Sequence, residues 1–295
     1  MESYPMIVVT APTGRIGSRV LASLLESDER VRLIARDPRK VPAAARERFE
    51  VVAGSHRDPA VLDRALTGAD SLFWLMPADS TARSIYDTYV TASISGAEAV
   101  HRHGVERVVI VSALGRGTGT YAGHVSASLA MEDLFRSTGV HIRALACPSF
   151  MDNVLYQAAG LENGILTGTL PADLKLPTVA TTDIADVAVR LLRDHSWTGQ
   201  DTVGVLGPED LSLDDMAAVL TEVLGTPVRF QPGDRDAVKQ AFLGCGYSEA
   251  VAQAMIDMDV AKERGIDLSV ARTAENTTPT TFRRFAEAVV KPAVL

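Results

Sequence analysis

The sequence predicts a doubly wound α/β fold, a parallel sheet covered by helices on both faces, with a small C-terminal lobe. Three observations carry this. Short, nearly continuous apolar runs recur through the first half, separated by segments long enough for crossover helices. Parallel strands are buried on both faces, so they read as unbroken apolar runs rather than as alternation. The first run leads directly into a glycine-bearing turn, and the texture changes after Pro148, where loops and short strand-like pieces replace the alternation.

The elements follow in order. Met6-Ile7-Val8-Val9-Thr10 reads as the first strand, Ala11-Pro12-Thr13-Gly14-Arg15-Ile16-Gly17 as its turn, and a helix-like stretch leads to Val31-Arg32-Leu33-Ile34-Ala35, which stops at Arg36. Glu50 to Ala53, Ser71 to Leu75, Arg107 to Val111 and His141 to Leu145 complete six strands. Pro59 to Leu66, Thr81 to Val100 and Val125 to Ser137 supply crossover helices. Two βαβαβ halves place a ligand beyond the strands' carboxyl ends. Residues 1–150 are read as the nucleotide-binding core. Residues 151–295 are read as a substrate-side lobe, with some elements returning to the core. In that lobe Asn163-Gly164 and Leu170-Pro171 mark loops, Thr182-Asp183 caps a helix to Leu192, Leu211 to Leu224 forms another, and Asp234 to Arg264 is helical in pattern.

Composition narrows the function classes. A chain of 295 residues with 46% hydrophobic and 22% charged residues is ordinary for a globular protein. A net charge of −8 without any Lys/Arg-rich run argues against nucleic acid as the partner. Cys147 and Cys245 suggest no disulfide framework, which points to a reducing, cytoplasmic setting. The first core strand begins so early that it leaves no room for a signal peptide, and no apolar stretch reaches membrane-spanning length. A homo-oligomer is allowed and not required.

The first 36 residues carry the chemical signal. Glycines in a strand–turn–helix let the backbone approach a pyrophosphate, while the helix N-terminus offers free N–H groups and partial positive charge. Thr10, Thr13, Gly14, Arg15, Ile16 and Gly17 are the candidate cofactor contacts. Arg36 stands 19 positions after Gly17. An acidic residue there would suit a free ribose 2′-hydroxyl, whereas arginine suits a 2′-phosphate, so the expected cofactor is NADP(H). A βαβ turn that holds no ligand is the alternative.

With these residues in view, the chain resembles the NmrA-like branch of the atypical short-chain dehydrogenases/reductases. The resemblance rests on Thr10 to Gly17, Arg36-Asp37-Pro38, Val51-Val52-Ala53-Gly54 with Asp58 and Leu62, and Val108 to Gly115. Met131-Glu132-Asp133-Leu134, Pro148 to Asn153 and Thr182 to Asp186 extend it over nearly the whole length. It implies a Rossmann-like fold and NADP(H) binding, in members that range from quinone or enone reductases to redox-sensing regulators. It also implies that Met76-Pro77 passes beside the nicotinamide ribose. The departures are specific. Ala11-Pro12 replaces the usual Gly-Ala, and Ser55-His56 stands where an acidic residue commonly touches the adenine. The catalytic Tyr and Lys of typical short-chain reductases would fall at His124 and Ser128, so that pair is not carried over.

The candidate catalytic residues are therefore His124, Ser128 and Ser112. His124 and Ser128 share a helical face with Met131 and Phe135, and an imidazole titrates near neutrality. Ser112 ends its strand at the carboxyl edge, and a turn-capping role is its alternative. Phe150, Met151 and Asn153 are expected to line the substrate side, where they favour a flat apolar ligand. Lobe-to-sheet packing is the rival account. No metal site is expected, because His101 and His103 lie two apart and do not share a face. Asp183 and Asp186 read as helix-start carboxylates, Asp257 and Asp259 as solvated charges, and Cys147 as a buried thiol. No G-x-S-x-G elbow is present, against an esterase. Three readings remain: an NADPH-dependent reductase of a flat apolar carbonyl, quinone or conjugated substrate, a nucleotide-sensing regulator, and a non-redox enzyme on the same fold.

Overall fold

Every residue of Met6–Thr10 (β1) is buried in the computed structural model, which describes residues 5–295. The β-branched run can be covered on both faces, and its neighbours supply the cover. Helix Arg15–Leu25 (α1) buries Ile16, Gly17, Val20, Leu21 and Leu24, an i, i+4 stripe laid against one face. Strand Arg30–Ala35 (β2), helix Ala43–Arg48 (α2) and strand Glu50–Ala53 (β3) follow. Helix Pro59–Leu66 (α3) starts with proline in its first turn and with Asp58 accepting the Ala60 N–H at 2.9 Å. Strand Ser71–Trp74 (β4) is again wholly buried.

The segment expected as one crossover helix from Thr81 to Val100 is divided. Helix Ile85–Tyr89 (α4) passes through a tight turn at Thr91–Ser93 into Ile94–His103 (α5). The division serves the Trp74 side chain: its indole N–H donates to Ser93 Oγ at 3.2 Å, and a Cβ on Gly96 would lie 2.4 Å from the ring. Strand Arg107–Ala113 (β5), helix His124–Arg136 (α6) and strand His141–Cys147 (β6) complete the expected set.

Beyond Pro148 come strand Ser149–Phe150 (β7), helix Ala158–Glu162 (α7) and strands Ile165–Gly168 (β8) and Leu176–Val179 (β9). Helix Thr181–Arg193 (α8) leads to strand Gln200–Gly204 (β10). Strand Asp210–Leu211 (β11), helix Leu213–Leu224 (α9) and strand Arg229–Pro232 (β12) precede two helices, Arg235–Gly244 (α10) and Glu249–Glu263 (α11). The helical pattern from Asp234 to Arg264 is thus interrupted around Gly246, whose φ is +86°.

The main sheet has seven strands in the order β3-β2-β1-β4-β5-β6-β10, all parallel. The expectation of six strands is corrected by β10, which pairs with β6 from Gln200 opposite Ile142 to Gly204 opposite Ala146. Its residues Gln200-Asp201-Thr202 are polar because this is an edge, so no apolar run marks it. One core lies between the sheet and α1, α2 and α8, and the other between the sheet and α3, α5 and α6. Strand order reverses between β1 and β4. Ligands of open α/β sheets sit at the carboxyl ends flanking that switch point. A third core, with Leu161, Leu166, Leu220 and Phe282, holds the C-terminal lobe together.

Candidate functional site

The turn after β1 is shaped by three positions. Ala11 sits at φ +48°, the one non-glycine residue with positive φ among the described residues, an arrangement costing about 1 kcal/mol. Gly14 donates its N–H to Ala11 O at 3.1 Å and closes the turn. Gly17 then passes so near the turn that a Cβ there would lie 2.0 Å from Ala11 O. No side chain caps α1 and no acidic residue stands in its first turn, so its leading N–H groups and positive dipole end are left for an anion. These residues fit a dinucleotide's phosphates. Thr13, Gly14 and Arg15 are exposed there, whereas Ile16 faces the core and can contribute only backbone.

Thr10, a candidate cofactor contact, has its side chain turned into the sheet. It is fully buried; its hydroxyl donates to Phe73 O at 2.9 Å and accepts the Leu75 N–H at 2.9 Å, stitching β1 to β4. Met76, expected beside the cofactor, is buried in the core with Trp74, while Pro77 is exposed and its carbonyl accepts from Arg57 at 3.5 Å.

Arg36 is exposed at the end of β2, and among the described residues no carboxylate pairs with it. The neighbouring Asp37 is occupied by Arg39, whose Nε donates at 2.9 Å and whose backbone N–H donates at 3.1 Å. Both contacts hold the Asp37 carboxyl below its usual range. Nearby, His56 packs edge-on to Trp74 with ring centroids 5.3 Å apart, and its Nε2 is buried without a partner among the described residues. Burial first, then the charges of Arg57 and Arg36, lower its pKa to about 4.

The expectation of a free Ser112 hydroxyl at the cleft gives way to a buried network. Ser112 donates to Glu132 Oε2 at 2.7 Å, and the fully buried Glu132 also receives Arg136 at 2.7 Å and Arg116 at 2.9 Å. This joins β5 to α6 and commits the serine proton away from any substrate. His124 opens α6 with Nδ1 3.3 Å from Tyr89 Oη and, among the described residues, Nε2 buried without a partner. Burial lowers its pKa to about 4, so the expectation of titration near neutrality is corrected: the ring is neutral at pH 7. Tyr89 itself is pushed up to about 12 by burial. Ser128, one turn on, is buried, and no hydrogen bond joins it or His124 to Ser112 among the described residues.

On the lobe side, Phe150 is half-buried and packs against the sheet core. Met151 is buried in the lobe core rather than lining a cleft, and Asn153 is exposed. Between them lies Asp152, to which the sequence alone assigns no separate role. Its carboxylate accepts the Thr181 N–H at 3.1 Å and the Thr181 hydroxyl at 2.9 Å, capping α8 from outside. Asp183, expected to cap that helix, instead accepts from the Thr280 N–H and hydroxyl at 3.0 and 2.6 Å. Arg15 reaches across from the glycine turn to within 3.7 Å of Asp152 Oδ1. A further buried pair, Lys262 with Asp267 at 2.6 Å, also binds Ser149 Oγ at 2.7 Å beside the end of β6. Asp259 is half-buried rather than fully solvated: it accepts from Thr169 at 2.5 Å, and burial raises its pKa. Cys147 is buried, which pushes its thiol up.

Residues 12–195 match the family model described as NAD(P)H-binding. The chain belongs to this NAD(P)H-binding family. The resemblance to the NmrA-like reductases agrees with this membership and with the Rossmann-like fold. A (4-alkanoyl-5-oxo-2,5-dihydrofuran-3-yl)methyl phosphate reductase of Streptomyces griseus is 30% identical over 283 residues, 96% of each chain. Quinone oxidoreductase 2 of Escherichia coli is 26% identical over 263 residues, 88% of this chain and 89% of that one. The crystal structure of an NADPH-dependent quinone oxidoreductase from Escherichia coli, in complex with NADPH, superposes with a TM-score of 0.80. It shares 22% identity and covers 97% of this chain and 100% of its own. The two curated relatives are thus named as a reductase and an oxidoreductase of small molecules, and the superposed crystal structure is of an enzyme described as NADPH-dependent.

Proposed function

We propose that the protein is a cytoplasmic NADPH-dependent reductase of a flat, apolar quinone, carbonyl or conjugated acceptor. The observation that carries the cofactor choice is Arg36. Among the described residues it has no carboxylate partner at the end of β2, while the adjacent carboxylate, the one suited to a ribose hydroxyl, is held by Arg39. A 2′-phosphate supplies the anion that this guanidinium lacks. The glycine turn and the open end of α1 bind the pyrophosphate, and the cofactor, when bound, supplies a hydride. Proton delivery is left to water or to the substrate, because Ser112 is committed to Glu132 and His124 is neutral. The dihydrofuranone and quinone named for the relatives are both flat conjugated acceptors, which supports that part of the substrate class; the dihydrofuranone also carries a phosphate, so the apolar character rests on the quinone alone. Two free cysteines accord with a reducing compartment, and no helix among the described residues is long and apolar enough to cross a membrane.

The test is a titration with NADPH and NADH that follows nicotinamide fluorescence. Tighter NADPH binding is expected, and Arg36→Ala should weaken NADPH roughly ten- to a hundredfold, as for a charge-assisted pair, with NADH unchanged. Equal affinity for both nucleotides in the wild type would refute the assignment of Arg36. A quinone and enone panel, monitored by NADPH oxidation, then identifies the acceptor.

A further inference from the structure

Arg15 is the first residue of α1, where a cation faces the positive end of the helix dipole. Left alone it would turn into water. Instead one lobe segment holds it: the guanidinium lies 3.5 Å from Asp152 O and 3.7 Å from Asp152 Oδ1, and its centre sits 5.1 Å from the Tyr156 ring centroid. Asp152 cannot follow the arginine, because Thr181 fixes both of its carboxylate oxygens. Tyr156 is 78% exposed, and its contact with Arg15 is the one ring contact it makes among the described residues. A large aromatic ring kept in water contributes little to folding.

We propose that Tyr156 and Asp152 are positioning residues for Arg15, holding its guanidinium at the open N-terminus of α1 so that it clamps the phosphates of the bound dinucleotide. This rests on the reading that the cleft binds NADPH. It adds a second anchor, distinct from Arg36, whose affinity contribution is the same for NADPH and NADH because both carry the pyrophosphate. It also couples cofactor affinity to the docking of the lobe, since 137 residues separate Arg15 from Asp152.

Fluorescence titration of both nucleotides with Tyr156→Leu, Tyr156→Phe, Arg15→Ala and the Arg15→Ala/Tyr156→Leu double variant tests this. Arg15 and Tyr156 are both exposed, so the fold is spared, which unchanged melting checks. Tyr156→Leu should weaken NADPH and NADH alike by about two- to fivefold, the range of an exposed cation–π contact. Tyr156→Phe keeps the ring and should bind as wild type. Arg15→Ala should weaken both nucleotides about tenfold or more. In that background Tyr156→Leu should add nothing. Wild-type binding by Tyr156→Leu, or independent multiplying losses in the double variant, would overturn the proposal while leaving the NADPH reading intact. Failure of the wild type to bind either nucleotide would remove both.

Discussion

Replacing Gly17 with alanine should separate the motif's two glycines, which the sequence alone treats as equivalents. The added Cβ would stand 2.0 Å from Ala11 O and 2.8 Å from its carbonyl carbon. Both are backbone atoms of a turn already held at positive φ, so neither can swing away as a side chain would. Reaching even a tight contact near 3.0 Å requires the turn and α1 to part by about 1 Å. Overpacking of this kind costs about 1–3 kcal/mol. With an unfolding entropy of roughly 0.6 kcal/mol/K for a chain of this length, Tm should fall by about 2–5 °C. The same shift moves the first N–H groups of α1 off the pyrophosphate, and NADPH affinity should fall about tenfold or more. Gly14→Ala is the control: its Cβ would meet Ala11 O at 3.5 Å, at φ −80°, so melting should stay within about 0.5 kcal/mol of wild type. Calorimetry and nucleotide titration read both variants. If Gly17→Ala melts and binds as the wild type does, the close approach at this turn does not govern the site.

Ser112→Ala should cost about 1.5–3 kcal/mol, the loss of a hydrogen bond to a charged acceptor, and lower Tm while leaving kcat within a few-fold. A hundredfold fall in kcat at unchanged Tm would return the hydroxyl to the chemistry. The two buried imidazoles set an acid limit. His56 and His124 both have native pKa values of about 4, below the ordinary 6.5, so the folded state binds fewer protons than the unfolded state between those values. Stability should therefore be intact above pH 6.5 and decline as pH falls toward 4, by up to about 1.4 kcal/mol per unit for each ring. Denaturant midpoints between pH 7.5 and 4.5 should show a shallower decline in His124→Asn than in wild type, and identical slopes would contradict the burial argument.

The sheet was legible wherever burial on two faces demanded an apolar run. β1, β4 and β5 carry such runs, and their glycine, proline and Asp58 punctuation sets the neighbouring boundaries. β10 was not, because an edge strand can carry Gln-Asp-Thr in succession and still pair through its backbone. The division of α4 from α5 was hidden for another reason. It answers the volume of Trp74, a residue 22 positions before Gly96, and no local propensity records that contact.

The site was legible as a place and less so as chemistry. A residue at the carboxyl end of a strand is known to be at the right edge, but its face follows from parity. Ser112 shares parity with Val108 and Ile110, which point into the core beside α6. Glu132 and Arg136, four apart, look like an exposed helix pair until β5 and Arg116 close over them. Thr10 likewise shares parity with Met6 and Val8 and turns toward β4. On the proposed reading Arg15, Arg36 and the open backbone N–H groups near the glycine turn form the binding apparatus, and neither Ser112 nor His124 is poised to give up a proton at pH 7. Such a site suits acceptors that stabilise the negative charge themselves after hydride arrives, as a quinone or a conjugated lactone does. On the proposed reading a simple ketone, whose alkoxide must be protonated as it forms, lacks a proton donor here, because Ser112 already donates to Glu132 and the buried His124 is neutral at pH 7.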